Sequence, residues 1–330
     1  MNVCIVGYGE VGKVHANVIS ELDGVTLYGI CDNNRERAAL GAQKHCVKAF
    51  YDFDDMLKDT NVQSVHICTP HYLHYEMTVK AIAHVKKVFV EKPVTMTREE
   101  FDKLYAEFSD CDDIVPIFQN RANLCVQTLK TAFEQDKTLG RFISAKGIIT
   151  WKRDRAYYEH DAWRGTKAYE GGGVLINQTI HSLDLMVNLG GPLQSVCASA
   201  SNKSLRGIIE VEDTIDALMT YQNGANGIFY ATNAHTANDA PFFEFAFENA
   251  LFRYIDRKLY RDNVFLCEDD STICGKQYWG SGHEKIFYDY YINHKAIKIK
   301  DIKNTMDAMF AIYESAEKGE PVILSDAYKK

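Results

Sequence analysis

The sequence predicts a two-part α/β protein: an N-terminal doubly wound parallel sheet followed by an α+β domain with a large open antiparallel sheet. Three observations carry this. Short β-branched runs alternate with helical patterns over residues 2–119; a glycine-rich turn, GYGEVG, joins the first run to the first helix; and beyond residue 141 strand-like runs follow one another directly, with an Asn-Gly turn at Asn223 and Gly224.

Taken in order, strands are expected at 2–6, 25–31, 64–69, 87–91 and 114–119, with helices between them near 11–22, 34–43, 73–84 and 97–108. Strand, helix, strand is the rhythm of a parallel sheet covered on both faces. A further helix near 122–136 precedes the change of texture. Strands are then expected at 141–152, 194–202, 208–222, 227–234, 242–248 and 251–268, and a last helix at 305–319. The boundary between residues 1–120 and 121–330 rests on this change of rhythm, because no Pro/Ser-rich linker or repeat marks it.

Within the second part, GGGVLINQTIHSLDLMVNLGG (171–191) reads as one helix. Ile176, Ile180, Leu183 and Val187 form an apolar stripe, and Asn177, His181, Asp184 and Asn188 repeat the same spacing one position on. The polar stripe is expected to line a cleft. His181 bonded to Asp184 one turn on, as a satisfied core histidine, is the plain alternative, and both hold if Asp184 orients the ring while the other nitrogen faces a ligand.

Composition excludes several classes. The chain has 330 residues, 46% hydrophobic and 25% charged, with a net charge of −8 spread along its length, which gives no electrostatic footprint for nucleic acid. No run approaches a membrane span and the N-terminus lacks a leader pattern, so a cytoplasmic protein is expected. Nine cysteines lie without CxxC pairs, against a disulfide framework or structural zinc. His71 and His74 are spaced H-x-x-H but have no third ligand nearby in sequence; no metal is expected.

The glycine turn is the first chemical motif. Gly7, Gly9 and Gly12 stand as G-x-G-x-x-G between a strand and a helix, and Asp32 ends the second strand. This is the context of a dinucleotide site: tight turn, close approach of backbone N–H groups to a pyrophosphate, and an acidic group for the ribose hydroxyls. Gly7, Tyr8, Gly9, Glu10, Val11, Gly12, Asp32 and Asn33 are the candidate cofactor residues. Asp32 would repel a 2′-phosphate, so NAD is favoured over NADP. Arg35 and Arg37 could pair with such a phosphate or be solvated charges on the second helix; Arg37 is kept among the candidates.

Two further motifs, CTPHYLH (68–74) and VFVEKPVT (88–95), together with GGGVLINQTIHSLD, FQNRANLCVQTLK, WKRDRAYY, WRGT and the terminal AIYESAEKGEPV, resemble the Gfo/Idh/MocA family over the whole chain. The resemblance implies an NAD-dependent oxidoreductase that moves hydride between nicotinamide and a secondary hydroxyl or ketone of a sugar, polyol or sugar derivative. It implies that Lys92 of the EKP motif lies beside nicotinamide and substrate, with His181 approaching the same oxygen from the second domain. Lys92 and His181 are then the proton-transfer pair, and Asn177, where the commonest family pattern has aspartate, positions the substrate hydroxyl. Carried over as cofactor neighbours are Thr69, Pro70, His74, Glu91, Gln119, Trp163 and Arg164; as substrate contacts, Arg121, Arg153 and Tyr157. His71 stands where many relatives have asparagine, and Val85 where a glycine is usual.

Residues 121–330 are accordingly read as the substrate-binding and oligomerisation domain, its C-terminal helix packing back on the first domain and its open sheet forming a homodimer or homotetramer. Two other readings stay open: a glycoside-cleaving enzyme using NAD for transient oxidation, and a non-catalytic dinucleotide-binding regulator.

Overall fold

The computed structural model describes residues 1–84, 86–270 and 281–324; the expectation about Val85 falls outside them. Strands β1 (Asn2–Val6), β2 (Thr26–Cys31), β3 (Lys48–Phe50), β4 (Ser64–Ile67), β5 (Lys87–Val90) and β6 (Ile114–Pro116) form one parallel sheet in the order β3-β2-β1-β4-β5-β6. That order reverses direction at β1 and β4, the crevice where doubly wound sheets hold ligands. The edge strand β3 was not expected, since three residues are too short to show an alternation.

The second sheet contains β7 (Phe142–Thr150), β8 (Leu193–Ser201), β9 (Thr214–Tyr221), β10 (Asn226–Thr232), β11 (Phe242–Phe247), β12 (Leu251–Ile255), β13 (Lys258–Arg261), β14 (Val264–Glu268) and β15 (Val322–Ile323). Their order is β14-β13-β12-β11-β7-β10-β9-β8-β15. It is mostly antiparallel, but β7 and β10 pair in parallel. The span 251–268, read as one strand, folds into three. Asp256, Arg257, Asp262 and Asn263 all take positive φ, giving two tight turns without a glycine.

Helix Glu10–Glu21 follows the glycine turn directly, and Gly7 takes φ +87 while its N–H donates to the Cys31 carbonyl at 2.8 Å. The helix Gly282–Tyr291, which the sequence did not signal, returns to the first sheet. Its Ile286, Phe287 and Tyr290 pack with Val3, Ile5 and Phe89 on one sheet face. A fully buried phenylalanine such as Phe287 contributes roughly 2–3 kcal/mol. The N-terminal core is therefore completed by residues far along the chain.

The C-terminal helix Lys303–Lys318 also reaches back: Arg98 pairs with Asp307 at 3.1 Å and lies over the Phe310 ring. Among the described residues no helix is long and apolar enough to cross a membrane.

Candidate active site

The helix expected over 171–191 is not uniform. A wide π-helical turn, Val174–Thr179, precedes an α-helix, Ile180–Gly190. Such insertions re-aim side chains and often mark functional sites. The polar stripe is divided: Asn177 and His181 line a cavity of about 890 Å³, whereas Asp184 is bonded to Arg121.

Asp184 does not orient His181. Its carboxylate accepts from Arg121 Nε at 2.8 Å and Nη2 at 2.5 Å, and from Thr305 Oγ1 at 2.6 Å. Arg121, expected to touch substrate, is thereby committed to a buried pair and also donates to the Asp301 carbonyl. Breaking one side of a buried ion pair strands the other charge. Asp184→Asn is expected to cost about 3 kcal/mol, read as a lowered Tm and denaturant midpoint; an unchanged midpoint would show that the pair adds nothing.

The cavity joins both halves of the chain. Glu10 and Val11 from the glycine turn, Glu91 and Lys92 from the end of β5, and Gln119 face Arg153, Tyr157, Arg164, Asn177 and His181 from the second part. Lys92 Nζ donates to the Asn177 carbonyl at 2.6 Å, so the ammonium following β5 meets the π-helical turn directly. Neither ring nitrogen of His181 has a hydrogen-bond partner among the described residues. Burial, then the charge of Lys92, push its pKa down to about 3, so the imidazole is neutral near pH 7 and, held in this setting, a weak base.

Asp32, at the end of β2, is buried and hydrogen-bonded. It accepts from Tyr8 N at 2.8 Å, Asn34 N at 2.9 Å and, in a two-pronged pair, Arg37 Nε at 2.8 Å and Nη2 at 2.9 Å. Arg37 is thus paired with Asp32 while its side chain stays 44% exposed. Asn33 beside it is exposed. Asp32→Ala is expected to release Arg37 and to move cofactor preference toward NADP by about 100-fold, read as the ratio of Kd values; no shift would mean that Arg37 cannot reach the ribose.

In the WRGT loop Arg164 pairs with Asp161 at 3.0 Å, donates to Tyr157 OH at 2.6 Å, and lies over the rings of Tyr157 and Trp163. Asp161 in turn helps raise the pKa of Arg37, after the dominant hydrogen bond that Arg37 donates to Asp32. The Trp163 ring meets His71, whose Nδ1 lies 2.8 Å from the Glu170 carbonyl. His74, expected along the cofactor, has its nitrogens 2.7 and 2.8 Å from the Pro93 and Thr69 carbonyls; it braces the two turns against each other. Thr69 and Pro70 are therefore held in place by it. Arg153 stacks on Trp151 and Tyr157 and donates to Asn238 Oδ1 at 2.8 Å.

One cluster was not foreseen. Glu91 Oε1 meets His15 Nε2 at 3.0 Å and His283 Nε2 at 3.3 Å, its Oε2 accepts from Lys92 N at 3.2 Å, and His15 Nδ1 meets His66 Nδ1 at 3.0 Å. Burial opposes the charge of Glu91, but hydrogen bonds from His15 and His283 outweigh it and hold the carboxyl well below the usual range. The ligand atoms of His15, Glu91 and His283 lie within 4.8 Å of one another, a grouping of metal-ligand type that these hydrogen bonds already engage. His15 shares the inward face with Val11 and Val18 on the first helix, a weak signal; His283 had none.

Comparisons with known proteins agree with this geometry. Residues 1–117 match the family described as "Oxidoreductase family, NAD-binding Rossmann fold", and residues 126–253 match "GFO/IDH/MocA C-terminal domain". The chain is 26% identical over 277 residues to a levoglucosan dehydrogenase of Pseudarthrobacter phenanthrenivorans, covering 74% of this chain and 70% of the relative. It is 27% identical over 234 residues to a myo-inositol 2-dehydrogenase of Thermotoga maritima, covering 69% and 67%. A crystal structure of the WlbA dehydrogenase from Bordetella pertussis, in complex with NADH and UDP-GlcNAcA, superposes with a TM-score of 0.84 at 25% identity, over 98% of each chain.

Proposed function

The chain belongs to the Gfo/Idh/MocA family of NAD-binding oxidoreductases of the sugar and polyol dehydrogenase type, and on that premise we propose that Lys92 and His181 are its proton-transfer pair. The observation that supports this most is the shared cavity: an ammonium from the nucleotide-binding half and an imidazole with no hydrogen-bond partner among the described residues, from the sheet half, line one space that also touches the glycine turn.

Bound NAD supplies the hydride acceptor there. Gly7, Gly9 and Gly12 with the N-terminus of helix Glu10–Glu21 would hold its pyrophosphate, Asp32 its adenosine ribose, and Trp163 and Arg164 would cover it. The chain's own groups then divide the proton work. A substrate hydroxyl entering between Lys92 and His181 gives its proton to a ring nitrogen of His181, a weak base beside Lys92 whose proton affinity rises as negative charge grows on the neighbouring oxygen. Lys92 Nζ donates to the same oxygen and stabilises the negative charge that grows there as hydride leaves the carbon. Arg153 and Tyr157, with Trp151, offer aromatic faces and donors suited to a sugar ring and its hydroxyls.

The test is purified protein with NAD and a panel of sugars, polyols and sugar derivatives. Net NADH formation supports the reading. Aglycone release without NADH would replace it by a glycoside-cleaving enzyme, and tight NAD binding without turnover by a dinucleotide-binding regulator. His181→Asn is expected to lower kcat about 100-fold with little change in NAD affinity; equal loss of both would place His181 in binding instead.

The outer face of the second sheet exposes Ile148, Leu218 and Ile228 on neighbouring strands β7, β9 and β10. We propose that it pairs with a second copy, forming a homodimer or homotetramer. A charged residue at Leu218 would then yield monomers by sedimentation.

A further inference from the structure

Asn177 is tied to a buried carboxyl that the proton-transfer pair does not use. Glu170 is fully buried beneath the cavity. One of its oxygens accepts from Asn177 Nδ2, the other from the backbone N–H of Gly165 in the WRGT loop, and its own carbonyl faces His71 Nδ1 at 2.8 Å. Asn177 in turn gives its carbonyl to Lys92 and lines the cavity. Glu170 therefore touches the covering loop, the π-helical turn and the segment after β4 at once.

We propose that Glu170 is a positioning residue whose protonation state decides which end of the Asn177 amide faces the cavity. When Glu170 is ionised, Asn177 Nδ2 donates to it and Oδ1 is turned to the cavity, an acceptor for the O–H of an alcohol. When Glu170 is protonated, its O–H is the donor, the amide turns over to accept with Oδ1, and Nδ2 faces the cavity as a donor for a ketone oxygen. The two states match the two sides of an alcohol–ketone interconversion. An aspartate at 177 has no N–H to present and could not make this exchange. The proposal rests on the reading of this cavity as the dehydrogenase site.

The surroundings allow the exchange at one partner alone. Gly165 N–H can only donate, so it stays on the second oxygen in either state. Arg164 is permanently charged and favours the anion, while Glu212 opposes it. Glu212 is itself pinned by Gly173 N at 2.8 Å, Leu175 N at 3.1 Å and Tyr313 OH at 2.9 Å, two of which can only donate. Tyr158 and Tyr313 stay protonated, because burial raises both phenols. His71 stays neutral: burial, then Lys92, holds it well below its usual range. Burial pushes Glu170 up to about 7, against the hydrogen bonds from Asn177 and Gly165, so both states are accessible near neutrality.

Infrared difference spectra of the NAD-loaded protein, with asparagine amides isotope-labelled, test this across about two pH units either side of neutrality. A protonated-carboxyl band should grow in as pH falls through about 7, and the Asn177 amide band, assigned by its loss in Asn177→Leu, should shift with the same midpoint.

In Glu170→Gln the new oxygen must go to Gly165 N–H, which leaves the new amide N–H pointing at Asn177. The carboxyl band should vanish and the Asn177 band should keep its low-pH position at every pH. In Asn177→Leu, loss of the donor to the anion should raise the Glu170 midpoint by about one unit, a reading that serves if Glu170→Gln does not fold. A carboxyl ionised throughout, an Asn177 band that ignores its titration, or a midpoint unmoved in Asn177→Leu would each overturn the proposal. None of these readouts needs turnover, so an inactive substrate panel would defeat the dehydrogenase reading without deciding this one.

Discussion

Lys92→Met is expected to lower kcat by about three orders of magnitude while NAD affinity changes by less than about tenfold. The substitution keeps most of the aliphatic stem and removes only the ammonium, so packing at the end of β5 is preserved. What is lost is the cation that lines the cavity with His181 and reaches over to the Asn177 carbonyl at 2.6 Å. A donor aimed at an oxygen that becomes an alkoxide acts mainly in the transition state, so kcat should fall more than KM rises. Removing the charge should also raise the pKa of His181, since Lys92 lowers it, with burial as the larger cause. Steady-state kinetics and fluorescence titration with NADH measure the two quantities. A variant that retains turnover within tenfold of the parent would remove Lys92 from the chemistry.

The second large effect is expected at Gly12. A Cβ there would lie 1.9 Å from the Gly7 carbonyl oxygen and 3.0 Å from its carbon. Both are backbone atoms, so no rotamer change relieves the clash. The turn that carries Gly7 at φ +87 must open, and with it the N–H groups placed for a pyrophosphate. Gly12→Ala should weaken NAD binding by at least about 100-fold and destabilise the protein by about 3 kcal/mol. Calorimetric binding and chemical unfolding test both. An alanine variant with normal affinity would mean that the helix can draw back from the strand at little cost.

Most of the architecture was legible because its signals are local. A β-branched run, a glycine turn and an amphipathic stretch each declare themselves within a dozen residues, and Gly7, Gly9, Gly12 and Asp32 are all contained in one β-α-β segment. Lys92 at a strand end and His181 on a helix were singled out by the family resemblance and not by local pattern, and both line the cavity. Short or turn-dependent elements escaped: the three-residue β3, and the meander from β12 to β14, whose turns use Asp256, Arg257, Asp262 and Asn263 in place of glycine.

What the chain's order alone determined, then, is the set of elements and the kinds of side chain each would present. Tertiary structure decided who meets whom. Asp184 lies one turn from His181 yet bonds to Arg121, 63 positions away; Glu91 meets His283 across 192 positions, and helix Gly282–Tyr291 completes a core laid down by the first strands. Periodicity reports which face of an element is apolar, but the pitch of a single π-helical turn, and the burial that forces polar groups to find partners, are settled only when distant elements pack.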